Sequence, residues 1–205
     1  GDRATADRLS REAEAILAGR SVPQARAGVA LFRAAFSGGD PVAAERALAI
    51  AGDRWSIIAS VGDVYRRIGH PDRAIPAFDR ALTMTQDAKD RADVLGWRAY
   101  AHRFAGDIPA ATADMRAAYA ADPSVDTRLL YVSILMDDPA AWSEGIAMAR
   151  SLFAEQPDSV MRLNALGYAL IQRPEGLEEG YRLLWRGFNY GQTDYAVIDS
   201  LGWAY

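Results

Sequence analysis

Apolar residues recur along this chain at the spacing of one helix face, and the recurrence itself repeats. Ile58, Val61-Gly62 and Tyr65 are matched by Leu163, Leu166-Gly167 and Leu170, and again by Ile198, Leu201-Gly202 and Tyr205. Each set is a large apolar residue, an apolar-glycine pair and another large residue one turn on, which puts all of it on one side of a helix. Glycine inside a helix costs about 1 kcal/mol relative to alanine, so a recurring one implies a neighbouring helix where a side chain would otherwise stand. Behind the first set come Ala74, Phe78 and Ala81, one face of a second helix. Between them Gly69-His70-Pro71-Asp72 ends one helix with glycine and opens the next with proline, predicting a helical hairpin from 55 to 84.

The same order continues downstream. Leu95, Ala99 and His102 take the first-helix positions, Gly106 the turn, Ala111, Met115 and Ala118 the second helix, and Pro123 the stop. Gly62 and Ala99 are 37 positions apart, so the polar stretch Gln86 to Arg91 reads as a three-residue extension of the connection. From 124 to 158 the helical spacing persists, with Ser133 at the glycine-type position, Gly145 at the alanine position and Pro157 at the end. Gly180, Leu184 and Gly187 follow Gly167 after an enlarged turn, Gln172-Arg173-Pro174-Glu175. Upstream, 25 to 51 fits a shortened unit, with Phe32 and Phe36 on one helix, Gly39-Asp40-Pro41 at the turn, and Ala44 and Leu48 on the other. Ala4 to Ala18, carrying Leu9, Ala13, Ile16 and Leu17, is an amphipathic helix. The run Tyr131 to Met136 reads as buried helix, since it contains no turn signal and lies between helical units.

This pattern resembles the tetratricopeptide repeat: a large residue, two positions, Leu-Gly, two positions, Tyr, then Ala-x3-Phe, then Pro, with a period of about 34. The resemblance implies an all-α, right-handed α-solenoid of antiparallel helix pairs, about eleven helices, whose first helices line a concave face. It divides one superhelical domain into a cap and shortened repeat (1–54), units at 55–88 and 92–125, a degenerate unit at 126–159, a unit at 160–194, and the first helix of a further unit at 195–205, whose second helix is expected beyond Tyr205. The tandem Leu-Asn-Ala-Leu-Gly-Tyr-Ala-Leu at 163–170 and Ile-Asp-Ser-Leu-Gly-Trp-Ala-Tyr at 198–205 is similar to one found in proteobacterial cell-envelope repeat proteins, some of them adaptors for periplasmic proteases. That implies a periplasmic or envelope location; the cytoplasm is the alternative.

Composition narrows the function classes. The formal charge of -4 is spread among interspersed acids and bases, which disfavours nucleic acid and a polybasic membrane patch as partners. No apolar run is long enough to span a bilayer, so direct membrane insertion is not expected. Absence of cysteine excludes disulfides, thiol catalysis and thiolate metal sites. Lys89 is the one lysine among 23 basic residues. A chain beginning Gly1-Asp2 is expected to have lost an upstream segment, such as a signal or anchor.

Catalytic motifs are missing: there is no His-Glu-x-x-His, phosphate loop, nucleophile elbow or calcium loop, so neither enzyme activity nor a cofactor or metal is expected. His70 falls in a turn and His102 on a core-facing helix position. Asp137-Asp138 and Glu178-Glu179 are neighbours in sequence whose side chains diverge, and capping and solvation account for them. The resemblance carries binding positions onto the first-helix face opposite the packing stripe: Asp63, Arg66, Arg67, then Tyr100, Arg103, Phe104, then Asn164, Tyr168, Gln172, and Asp199, Trp203. Guanidinium, amide and aromatic groups there suit a peptide or helix of a partner protein. The alternative for Tyr100, Phe104, Tyr168 and Trp203 is packing between first helices; for Asp63, Arg66 and Arg67 it is a solvated face. The lysines with which chaperone-binding relatives clamp a terminal carboxylate are missing. The expected function is a non-catalytic interaction module, an adaptor in an envelope assembly; alternatives are an oligomerising scaffold that self-associates through an open C-terminal end, or a glycan-binding solenoid using Tyr168, Trp185, Tyr190 and Trp203.

Overall fold

The computed structural model describes residues 3–18, 21–36, 40–190 and 195–203; the turn glycine Gly39 and the terminal Tyr205 lie outside them. Twelve α-helices and no strand occur among the described residues: α1 (Arg3–Leu17), α2 (Pro23–Phe36), α3 (Pro41–Ala51), α4 (Trp55–Arg67), α5 (Pro71–Met84), α6 (Ala88–Phe104), α7 (Ile108–Ala121), α8 (Val125–Leu135), α9 (Trp142–Glu155), α10 (Val160–Ile171), α11 (Leu177–Tyr190) and α12 (Tyr195–Trp203). The expected count of about eleven is thus short by one. The helices fall into two compact units, 1–114 and 115–205.

Each unit stacks helix pairs. In the first, α2 packs on α3 and α4 on α5, and each second helix packs on the next first helix, α3 on α4 and α5 on α6. In the second the pairs are α8 with α9 and α10 with α11, joined by α9 on α10 and α11 on α12. First helices also approach one another directly: α2 to α4, α4 to α6, α8 to α10 and α10 to α12. Among the described residues the second helices α3 and α5, or α9 and α11, do not come as close. Within each unit the inner, concave side therefore lies along the first helices, as in an α-solenoid.

The glycines explain how the pairs close. A Cβ on Gly62 would lie 2.7–3.0 Å from the buried Phe78 ring, so α4 and α5 meet where α4 has no side chain. In α10 and α11 the device is doubled, with Gly167 against Leu184 and Gly180 against the Gly167 carbonyl. The unit at 126–159 keeps the close approach but moves the glycine: a Cβ on Gly145 of α9 would sit on Met136 and 3.1 Å from Leu135 Cβ. The degeneracy read from Ser133 is an exchange of which helix yields.

Two successive first helices end alike. Gly69 and Gly106 both take φ 80°, the left-handed region that glycine enters without cost. The amide after each donates back to the last turn, His70 N to Tyr65 O and Asp107 N to His102 O, both at 2.9 Å, which is the Schellman closure. One connection differs from expectation. Asp87 caps α6 by accepting from the amides of Lys89 and Asp90, so 88–91 are helical and the added residues lengthen α6 to 17 instead of lengthening a loop.

Ion pairs bridge consecutive pairs on the outer side. Arg73 of α5 reaches Glu45 of α3 at 2.7 Å, and Arg150 of α9 meets Glu179 of α11 with two bonds of 2.8 Å. Glu179 is thereby corrected from a solvated residue to an inter-repeat partner. Glu155 of α9 accepts from both Nη atoms of Arg128 on α8, at 2.6 and 2.8 Å, and from the buried Arg162 on α10, at 3.2 Å.

Candidate protein-binding face

On α4, the positions i, i+3 and i+4 place Asp63, Arg66 and Arg67 together on the inner face. Asp63 accepts from Arg66 Nη2 at 2.6 Å and Nε at 3.1 Å, and pairs with Arg67, whose Nε lies 2.7 Å from its other oxygen. Arg66 and Asp63 are largely shielded, whereas the Arg67 side chain is 65% exposed. On α6, the Tyr100 ring has the Arg66 guanidinium 5.8 Å from its centroid and that of Arg103 at 6.0 Å. Each such contact is worth roughly 0.5–1 kcal/mol at a partly exposed site, and together they fix the tyrosine between two charges. Phe104, one turn beyond Tyr100, is 63% exposed. The structure thus brings all six expected residues of this unit onto adjoining helices.

Two further residues belong here. The buried Ala27, Ala30 and Ala34 of α2 stand 31 positions before Ile58, Val61 and Tyr65, which sets α2 in register with α4. On that register Phe32 and Phe36 occupy the places of Asp63 and Arg67. Their rings are 5.0 Å apart and both are exposed. Their one-turn spacing was visible in the sequence, but the shortened repeat hid the register that assigns them to the inner face.

The second unit carries a different set. Asn164 and Tyr168 on α10 align with Asp199 and Trp203 on α12, 35 positions later, and the two helices are in contact. Asn164 Oδ1 is buried without a hydrogen-bond partner, and Gln172 Nε2 donates to the Tyr168 carbonyl at 3.3 Å. Trp203 is 73% exposed and Asp199 is exposed. Packing between first helices accounts in part for the half-buried Tyr100 and Tyr168, and not for Phe104 or Trp203.

Several other polar groups join helices to one another. Asp114, 7% exposed, takes Arg98 Nε at 2.8 Å and Nη2 at 2.5 Å, and His102 Nε2 lies 3.8 Å from it. Arg98 also pairs with Asp79, tying α5, α6 and α7. His70 is exposed at the start of α5. In the second unit Tyr131 donates to Glu144, and Arg116 donates to both. Burial, and then the bond to Glu144, push the Tyr131 phenol up to about 12, while that same bond from Tyr131 holds the Glu144 carboxyl below the ordinary glutamate range. The trio links α7, α8 and α9. Among the described residues no three His, Asp or Glu side chains come together as metal ligands, and no helix is long and apolar enough to cross a membrane.

No family model matches the chain. A TPR repeat-containing protein of Pseudomonas aeruginosa is 34% identical over 79 residues, 38% of this chain and 13% of that protein, so the chain spans a small part of its relative's length. Among solved structures, YrrB, described as a TPR protein with an unusual peptide-binding site, superposes with a TM-score of 0.59 at 13% identity over 91% of this chain and 95% of that one. The MamA protein gives 0.55 at 17% identity over 75% and 82%.

Proposed function

We propose, from the premise that this chain has the tetratricopeptide-repeat fold, that it is a non-catalytic protein-binding module whose inner helix faces hold a peptide or helix of a partner. The observation that carries this reading is the contiguous stack Arg66, Tyr100, Arg103 across α4 and α6, with Arg67 and Phe104 exposed beside it. Charged planar groups and rigid aromatics give directional hydrogen bonds and large contact area at low entropic cost. A structural neighbour with a peptide-binding site is consistent with that use of the fold. We assign the module to an adaptor role in a bacterial envelope, on the tandem at 163–170 and 198–205 and on its bacterial relative.

The test is affinity capture from separated envelope and cytosolic fractions of the native source, with the parent chain and an Arg66→Glu plus Arg103→Glu variant of matching helical content. Partners recovered from the envelope fraction by the parent and lost by the variant are expected. Equal recovery by both overturns the face; recovery from cytosol alone overturns the compartment.

A further inference from the structure

The second unit leaves one acceptor buried and unanswered. Asn164 Oδ1, on α10, is shielded from water and accepts no hydrogen bond among the described residues. An acceptor removed from water without a donor destabilises the chain that holds it, so a donor brought by a ligand is its complement. Asp199 holds the same position on α12, 35 residues later, and is exposed. It is the one charged residue of α12, as Arg162 is of α10. Bases on the surrounding helices are engaged elsewhere. Arg128 and Arg162 both donate to Glu155, Arg186 pairs with Asp158, Arg150 and then Arg182 hold down the Glu179 carboxyl, and Arg173 lies over the Trp142 ring. One turn beyond Asp199, Trp203 is 73% exposed, at the position that the half-buried Tyr168 takes on α10. We propose that the α10–α12 face binds an arginine side chain of a partner protein. The inference rests on the protein-binding reading and names the group that the second unit takes.

The chemistry selects a guanidinium. An amide oxygen and a carboxylate on two touching helices are both acceptors, and they ask for one group with donors on more than one side. Guanidinium carries its N–H donors in a flat fork and keeps its charge at any working pH, so it can bond both at once. Its planar face also suits the exposed Trp203 indole, the ring type that attracts cations best. An ammonium has the charge without the fork. Citrulline, the neutral urea of the same shape, has the fork without the charge. Arginine is therefore preferred to lysine and to citrulline, and it can lie anywhere in a sequence because no group on this face singles out a chain terminus.

The probe is a pentapeptide capped at both ends, arginine between pairs of alanines, with lysine and citrulline analogues at the centre. Titrated into the full, isotope-labelled chain, the arginine peptide is expected to shift the Trp203 indole resonance, which is identified by its loss in Trp203→Phe. It should bind at least about tenfold tighter than the citrulline peptide and about threefold tighter than the lysine one. Asp199→Asn should bring arginine and citrulline within about twofold of each other. Asn164→Leu should raise the melting temperature, since no acceptor is then stranded, and yet weaken the arginine peptide about fivefold; an asparagine with a structural role alone would not couple the two. Arginine binding no tighter than citrulline or than lysine, Asp199→Asn leaving the arginine-to-citrulline ratio unchanged, or Asn164→Leu leaving arginine affinity unchanged overturns the proposal. If the arginine peptide does not bind while Arg66 and Arg103 still govern capture of native partners, the ligand group is wrong and the protein-binding reading stands. If neither holds, both fall.

Discussion

Gly180 and Gly167 approach until neither has room for a methyl group. A Cβ on Gly180 would come within 2.7 Å of the Gly167 carbonyl oxygen and of Ile171 Cγ2, and backbone cannot move aside without separating α10 from α11. The three atoms nearest a Cβ on Gly62 all belong to the Phe78 ring, a side chain that can be made smaller. Gly180→Ala is therefore expected to cost about 1–3 kcal/mol net of the roughly 1 kcal/mol that alanine gains in helix propensity. Gly62→Ala should cost less and be partly rescued by Phe78→Leu. Thermal melts of the four chains check this; equal loss for Gly180→Ala and Gly62→Ala, or no rescue, contradicts the assignment. Gly62 and Gly167 were legible in the sequence because they recur at one repeat position. The role of Gly145 was not, since a glycine moved to the opposite helix keeps the packing and breaks the pattern.

Among helices, the arginine–carboxylate pairs decide how neighbours are held, and three of them in the second unit share a pH response. Tyr131 first, with Arg116, lowers the Glu144 carboxyl; the guanidinium of Arg128 lowers Glu155; that of Arg150 lowers Glu179. Because each folded value lies below the unfolded one, the stability they contribute is complete above the unfolded glutamate value of about 4.3 and is lost as pH falls through the folded values. Acid should thus loosen α8, α9 and α11, and a triple Glu144→Gln, Glu155→Gln, Glu179→Gln chain should have a lower melting temperature at pH 7 but a flatter decline between about pH 5 and pH 2. A parent and variant with parallel acid limbs would contradict this. The partners stand 27 to 29 residues apart, less than a repeat, so no internal repetition marks them. Reading Glu178-Glu179 by local adjacency found the solvated member and missed the paired one.

For the molecule as a whole, the repeat period gave the helix pairs, while the registers of units that depart from it, at 25–51 and across 86–91, emerged only from burial and capping. The division into units 1–114 and 115–205 has an energetic counterpart. Contacts in a helix stack are with neighbours, so damage should stay local. Gly167→Leu is expected to remove amide-exchange protection from α10 and α11 and leave that of α4 and α5 unchanged; loss spread evenly over all four would show a single cooperative body instead.

Within each unit successive inner helices come close together, whereas Arg73 to Glu45 and Arg150 to Glu179 span the outer ones by long side chains in water. One edge is therefore a hinge and the other a set of weak tethers, each worth about 0.2–1 kcal/mol and screened by salt. The width of the proposed binding face then answers to the solution on the opposite side of the protein. An incoming segment can adjust curvature at small cost, and ionic strength becomes a control on fit as well as on attraction.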